Sequence, residues 1–109
     1  MNCKLKTNHY NKMKLTEQEI QLIQNYLKKQ PVLKAYLFGS YARGEADAES
    51  DIDLLVDLDY SQNIGWRFFG MHLELEEILH RKVDVVPSDG VYENIQPFIE
   101  KDKKLIYAR

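Results

Sequence analysis

Two aspartates stand inside one of the most apolar stretches of this chain. The run "DIDLLVD", residues 51–57, sets Asp51 and Asp53 among Ile52, Leu54, Leu55 and Val56. Four aliphatic and β-branched side chains within seven residues that follow a polar loop specify a strand. Side chains alternate along a strand, so Asp51 and Asp53 share one face while Ile52 and Leu54 turn to the core on the other. A second run, "VDVVP" at 83–87, repeats the device with Asp84 between Val83 and Val85. If the two strands are neighbours, three carboxylates converge on one patch of a sheet. Two such charges about 5 Å apart repel by about 3 kcal/mol at an effective dielectric near 20. Arg43 is the only lysine or arginine from residue 35 to 66, so the local basic supply is thin. A bound cation or a shifted pKa must offset the repulsion. All-oxygen ligation with open positions suits Mg²⁺, which prefers one or two carboxylates plus substrate phosphates. No Asp-x-Asp-x-Asp-Gly calcium loop is present, and His9, His72 and His80 with the lone Cys3 lack zinc-ligand spacing.

The elements around these strands are readable from pattern. Thr16 to Glu19 spells T-E-Q-E, a capping box, with Leu15 and Ile20 placed as a hydrophobic staple. Ile20, Ile23 and Leu27 form the apolar stripe of the helix that follows, widened by Leu22 and Tyr26, and Pro31 ends it. "VLKAYLF", 32–38, is a strand ending at Gly39. Ser40 suits the N-cap of a short helix that breaks at Gly44. A loop spans 45–50, and a long helix is expected at about 63–81, where Ile64, Phe68, Met71, Leu75 and Ile78 make a core stripe. Trp66, Phe69 and Leu73 make a second apolar face that suits either a buried sandwich or a docking surface. A shorter helix near 92–101 contains Pro97, and "KKLIYAR" supplies a short edge strand. Helices and strands alternate throughout, which specifies an α/β (α+β) domain: a small mixed sheet of three to four strands covered by helices.

At 109 residues the chain is one domain with a modest core. Its first 14 residues carry Lys4, Lys6, Lys12 and Lys14 and no acid, a basic tail expected to be disordered ahead of a domain over 15–109. A net charge of −2 provides no global field for nucleic acid, so none is expected as a direct partner. One cysteine excludes a disulfide framework and no run reaches membrane-spanning length, which points to the cytoplasm.

The acids now give the Gly39–Ser40 step a purpose. A glycine lets backbone approach a phosphate closely, and a serine at a helix start offers its hydroxyl beside free N–H groups that bind anions. A phosphate cradle next to a carboxylate–Mg²⁺ site is the layout of phosphoryl or nucleotidyl transfer. The string "FGSYARGEADAESDIDLLV", with Gly39-Ser40, ten residues, then Asp51-Ile-Asp53, resembles the polymerase-β-like nucleotidyltransferase superfamily. It looks most like the minimal nucleotidyltransferases, MNT proteins that act as antitoxins to HEPN-domain ribonucleases. The resemblance covers roughly residues 15–109 and includes the acid of "KVDVV". It implies Asp51 and Asp53 as the metal-binding pair and Asp84 as a third acid that also reaches the metal and orients or deprotonates the nucleophile. It implies Gly39 and Ser40 as phosphate-binding residues, with Arg43 neutralising the phosphates, two Mg²⁺ ions as cofactor, and ATP as substrate. The expected acceptor is a tyrosine of a partner HEPN toxin, modified with AMP. Many relatives carry Arg where this chain has Tyr41. A non-catalytic antitoxin that binds its toxin, and a small-molecule nucleotidyltransferase working with a separate subunit, remain alternatives. Homo- or hetero-oligomeric assembly is left open.

Overall fold

A computed structural model of the protein describes residues 13–91 and 96–109. Helix α1 spans Glu17–Leu27, and the expected capping box is fully formed around its N-cap, Thr16. The Thr16 hydroxyl accepts from the Glu19 N–H at 3.0 Å, and the Glu19 carboxylate accepts from the Thr16 N–H at 2.9 Å. Each bond satisfies a backbone donor that a bare helix start leaves orphaned. Thr16→Ala removes one of them, and a loss of about 1 kcal/mol is expected, read as a lower midpoint in urea with an unchanged slope.

Strand β1 (Val32–Phe38) leads into a single-turn helix α2 (Gly39–Arg43), and β2 covers Ile52–Leu58. Helix α3 (Gly65–Leu79), strand β3 (Val83–Pro87), a 3₁₀ turn at Ser88–Gly90, helix α4 (Gln96–Asp102) and strand β4 (Lys104–Ala108) complete the order. Residues 92–95, which the sequence pattern assigns to the start of α4, lie outside the described residues, as do residues 1–12 of the basic tail. Pro97 sits in the first turn of α4, where its missing N–H costs no helical bond. The backbone N–H of Met13 donates to the Ala46 carbonyl, fastening the start of the described chain to the loop before β2.

The sheet is mixed, with strand order β3-β2-β1-β4. β1 runs antiparallel to both β2 and β4, while β2 and β3 are parallel and joined across α3. The back of the sheet carries the main core. Ala35, Leu37, Ile52, Leu54 and Val56 meet Ile23 and Leu27 of α1 and Met71, Leu75 and Leu79 of α3. The front carries the acids, because Phe38 pairs with Asp53 and Asp53 with Asp84, so these three side chains share one face. Further along that face, Leu55 is buried, and it lines a cleft together with Ile99 of α4.

α3 closes the expected boundary early. His80 is its C-cap in the left-handed conformation (φ 56°), so the helix stops two residues short of the expected end. Trp66, Phe69 and Leu73, the second apolar face of this helix, are exposed, Trp66 to 87%. Among the described residues, none forms a second layer over that face, so the sandwich alternative does not hold there.

Candidate active site

The site lies where β1, β2 and β3 end together on the front of the sheet. Antiparallel pairing of β1 with β2 brings the exit of β1 beside the entry of β2, so Gly39 meets Asp53. The approach is extreme. A Cβ on Gly39 would lie 2.2 Å from Asp53 Oδ2, and Gly39 has φ +73°. Both facts demand glycine here. The residue that the pattern assigned to phosphate approach is thus first a requirement of the carboxylate beside it. Gly44, also left-handed at φ 72°, ends α2 as the sequence indicates.

α2 begins two residues earlier than expected. Phe38, not Ser40, is its N-cap; it is extended and offers no side-chain bond to the helix start. Ser40 lies in the first turn instead. The early start has a local cause, since the left-handed Gly39 lets the chain turn directly out of the strand. Glycine and serine remain at the mouth of the site.

Asp53 and Asp84 are direct partners in the parallel β2–β3 register, about 4.8 Å apart between strands. Asp53 is half-buried and Asp84 exposed. Burial, then the fields of Asp84 and Asp51, push the Asp53 carboxyl up from its ordinary 3.8 to about 6, against a weaker opposite pull from Arg43. The three acids therefore converge electrostatically, with Asp53 at the centre. Among the described residues they are not closed into a ready-made set of three ligands. This donor set fits Mg²⁺, which takes few protein oxygens and leaves positions to water and phosphate.

Arg43 is turned to other acids. Its Nε contacts Glu45 at 3.0 Å and its Nη1 contacts Asp102 of α4 at 3.3 Å. It spans from the acidic loop to α4 and stands near Asp53 without pairing with it.

Two further acids of the 45–59 cluster, Asp47 and Asp59, have structural work. Asp47 accepts from the Glu49 N–H at 2.9 Å and from the Ser50 hydroxyl at 3.2 Å, shaping the loop. Asp59 binds Ser61, Gln62 and Arg109, contacts that hold its carboxyl well below the usual carboxylate range. Arg109 also donates to the Gln30 carbonyl, so Asp59 anchors the end of β4 to the turn after α1.

Sequence reasoning missed Arg81. Its guanidinium donates to the Tyr41 hydroxyl at 2.7 Å, lies 5.8 Å over the Tyr41 ring, and contacts Glu19 at 3.4 Å. Tyr41 is buried and works as a platform for that cation. The arginine beside α2 is thus supplied from the entry of β3. Arg81, His80 and Lys82 line a cleft of about 410 Å³ with Asp51 and Ser50. Its only sequence signal was a cluster of three basic-type residues just before the "VDVV" strand.

The polymerase β nucleotidyltransferase family model matches residues 21–109, which includes Gly39, Ser40, Asp51, Asp53 and Asp84. The chain belongs to that family. It is a nucleotidyltransferase. The candidate protein adenylyltransferase MJ1379 of Methanocaldococcus jannaschii is 40% identical over 78 residues, covering 66% of this chain and 72% of its own length. Protein adenylyltransferase MntA of Thermococcus cleftensis is 35% identical over 86 residues, covering 74% of this chain and 86% of its own. Among solved structures, a toxin–antitoxin complex with AMP-PNP shares the fold at TM-score 0.70 and 22% identity, over 83% of this chain and 73% of that one. A complex of tri-AMPylated Shewanella oneidensis HEPN toxin with MNT antitoxin aligns at TM-score 0.57 and 21% identity, over the same shares of the two chains. These likenesses agree with the mixed four-stranded sheet and its helices.

Proposed function

We propose that this protein is a Mg²⁺-dependent protein adenylyltransferase that transfers AMP from ATP to a tyrosine of a partner HEPN ribonuclease toxin, acting as its antitoxin. One observation carries the reading: Asp53 and Asp84 are in register on parallel strands, and Asp53 packs directly against Gly39 at the mouth of α2. The names of the two relatives and the toxin complexes of the same fold support the choice of a protein acceptor.

Asp51 and Asp53 would hold Mg²⁺ with Asp84 at its edge, and the ion would neutralise charge on the phosphates in flight. The chain's own residues do the rest. Backbone N–H groups of Gly39 and Ser40 and the Ser40 hydroxyl receive the outer phosphates, fixing the α-phosphorus over the carboxylates. Asp84 is exposed and carries an open carboxylate, so it can accept the proton of an incoming tyrosine hydroxyl. The phenolic oxygen then forms its bond to the α-phosphorus as the bond to the bridging β-oxygen breaks, and pyrophosphate leaves. An exposed apolar stripe on the back of the molecule, Trp66, Phe69 and Leu73, offers surface to a protein partner without covering the acids.

Catalysis and capture differ in stoichiometry. With ATP and Mg²⁺, wild type at one-tenth the toxin concentration should silence ribonuclease activity and raise the toxin's mass by AMP units. Asp84→Asn should retain partner affinity and lose this sub-stoichiometric protection, by about 10²–10⁴-fold in rate. Protection by wild type without ATP, or only at equal concentration, would establish the binding-only antitoxin instead. AMP transfer to a small molecule and not to the toxin would establish the third alternative.

A further inference from the structure

An apolar cleft opens beside the proposed phosphate cradle, and the reaction chemistry so far leaves it unused. It holds about 270 Å³ and is lined by Phe38, Gly39, Arg43, Phe98, Ile99 and Asp102. Phe38 occupies the front of the sheet one strand over from Asp53, with which it pairs. Ile99 is buried under α4, while Phe98, its neighbour, is 69% exposed. An aromatic ring left in water next to a phosphate-binding turn has no role in the core. The rim is polar on one side only, where Arg43 and Asp102 hold each other at 3.3 Å.

We propose that this cleft receives the purine base of the nucleotide substrate, with the base stacked on Phe98 and its edge toward Phe38 and Ile99. The proposal rests on the nucleotidyl-transfer reading and adds to it where the base is held. Three features support it. Gly39 belongs both to the cleft and to the turn that contacts Asp53, so a nucleotide whose phosphates lie on Gly39 and Ser40 has its base within reach of the cleft. The volume is below that of pockets for drug-sized ligands, and suits a single flat ring system. Flat aromatic faces hold bases without needing a hydrogen-bond code, so one exposed phenylalanine is sufficient as a platform. Arg43 and Asp102 at the rim stand where the base's polar edge would emerge.

Titration calorimetry of the full chain with Mg²⁺ tests the assignment, using ATP and inorganic tripolyphosphate as probes. Wild type should bind ATP about 5- to 150-fold more tightly than tripolyphosphate, the range that stacking on one aromatic supplies. Phe98→Ala should remove that advantage and leave tripolyphosphate affinity and the thermal midpoint unchanged, since the ring is exposed. Phe98→Trp should keep or increase the advantage. Equal affinities of the two probes for wild type, or an ATP advantage that survives Phe98→Ala, would overturn the base site while leaving nucleotidyl transfer intact. Equal weakening of both probes by Phe98→Ala would also overturn it, showing the ring to act on the phosphates or the fold. A wild type that binds neither probe would instead overturn the transfer reading on which the base site depends.

Discussion

Asp53→Asn will give a protein that is more stable than wild type without divalent metal and inactive with it. In wild type the Asp53 carboxyl is raised to about 6 by burial and by the neighbouring Asp84 and Asp51 charges. The displacement from 3.8 corresponds to about 3 kcal/mol at full strength, and solvent screening at a half-buried site reduces it to about 1–2 kcal/mol. The sign follows from proton uptake. Between about pH 4 and 6 the folded state keeps a proton that the unfolded chain releases, so the carboxylate costs stability as pH rises through that window. The asparagine variant escapes this cost. Its advantage should be absent below pH 4, grow to about pH 6, and stay constant above. Denaturant titrations of both proteins at pH 3.5, 5 and 7.5 read the difference directly. Adding Mg²⁺ should stabilise wild type and narrow the gap. Transfer of labelled AMP should fall at least about a hundredfold, because ligation that stabilises transition-state charge by several kcal/mol is lost. A variant no more stable than wild type at pH 7.5 would mean that burial and the neighbouring acids do not penalise the Asp53 carboxylate in the folded chain.

Gly39→Ala should be the most destructive single methyl in the molecule. The added carbon would sit 2.2 Å from Asp53 Oδ2, and a left-handed φ of +73° adds strain of its own. The conformational part costs about 1–2 kcal/mol, and displacing the carboxylate from its place adds to it. We expect a total loss of about 2–4 kcal/mol, within the range of the severe single substitutions. Activity should fall with it even where the protein remains folded, because the displaced group is the central acid. A double-mutant cycle separates the two causes. In an Asp53→Ala background the clash partner is gone, so Gly39→Ala should there cost only the conformational part. Coupling of at least about 1 kcal/mol is expected between positions that touch. Additive effects would show that the close approach of Gly39 to Asp53 is not maintained in solution.

Much of this chain announces itself locally. The capping box of α1 satisfies its donors within four residues, so T-E-Q-E alone determined where that helix starts. The strands at 32–38 and 83–87 end where Gly39 and Pro87 interrupt them, and alternation along "DIDLL" separated acid from core without any partner strand. The Gly-Ser step and Asp-x-Asp at fixed spacing pointed to nucleotidyl transfer, and residues 15–109 carried the family resemblance. Even the start of α2 moved for a local reason, since a left-handed Gly39 lets it begin beside Phe38.

Tertiary structure decided the rest, because it depends on which distant segments pair. No pattern within "DIDLLVD" or "VDVVP" fixes that β2 and β3 are parallel with Asp53 opposite Asp84. That register arises from α3 crossing the back of the sheet between them. The contact of Gly39 with Asp53 arises from antiparallel pairing of β1 and β2, and together with the left-handed φ it explains why that residue must lack a side chain. Arg81 on the Tyr41 ring joins positions forty residues apart. The same distance rule separates Asp53, made central by three converging strands, from Asp47, which shapes its own loop, and Asp59, which ties the end of β4 to the turn after α1. Exposure of Trp66, Phe69 and Leu73 was equally undecided by periodicity. A 3.6-residue repeat marks an apolar face, but only the packing of a second layer, which the described residues do not supply there, buries one.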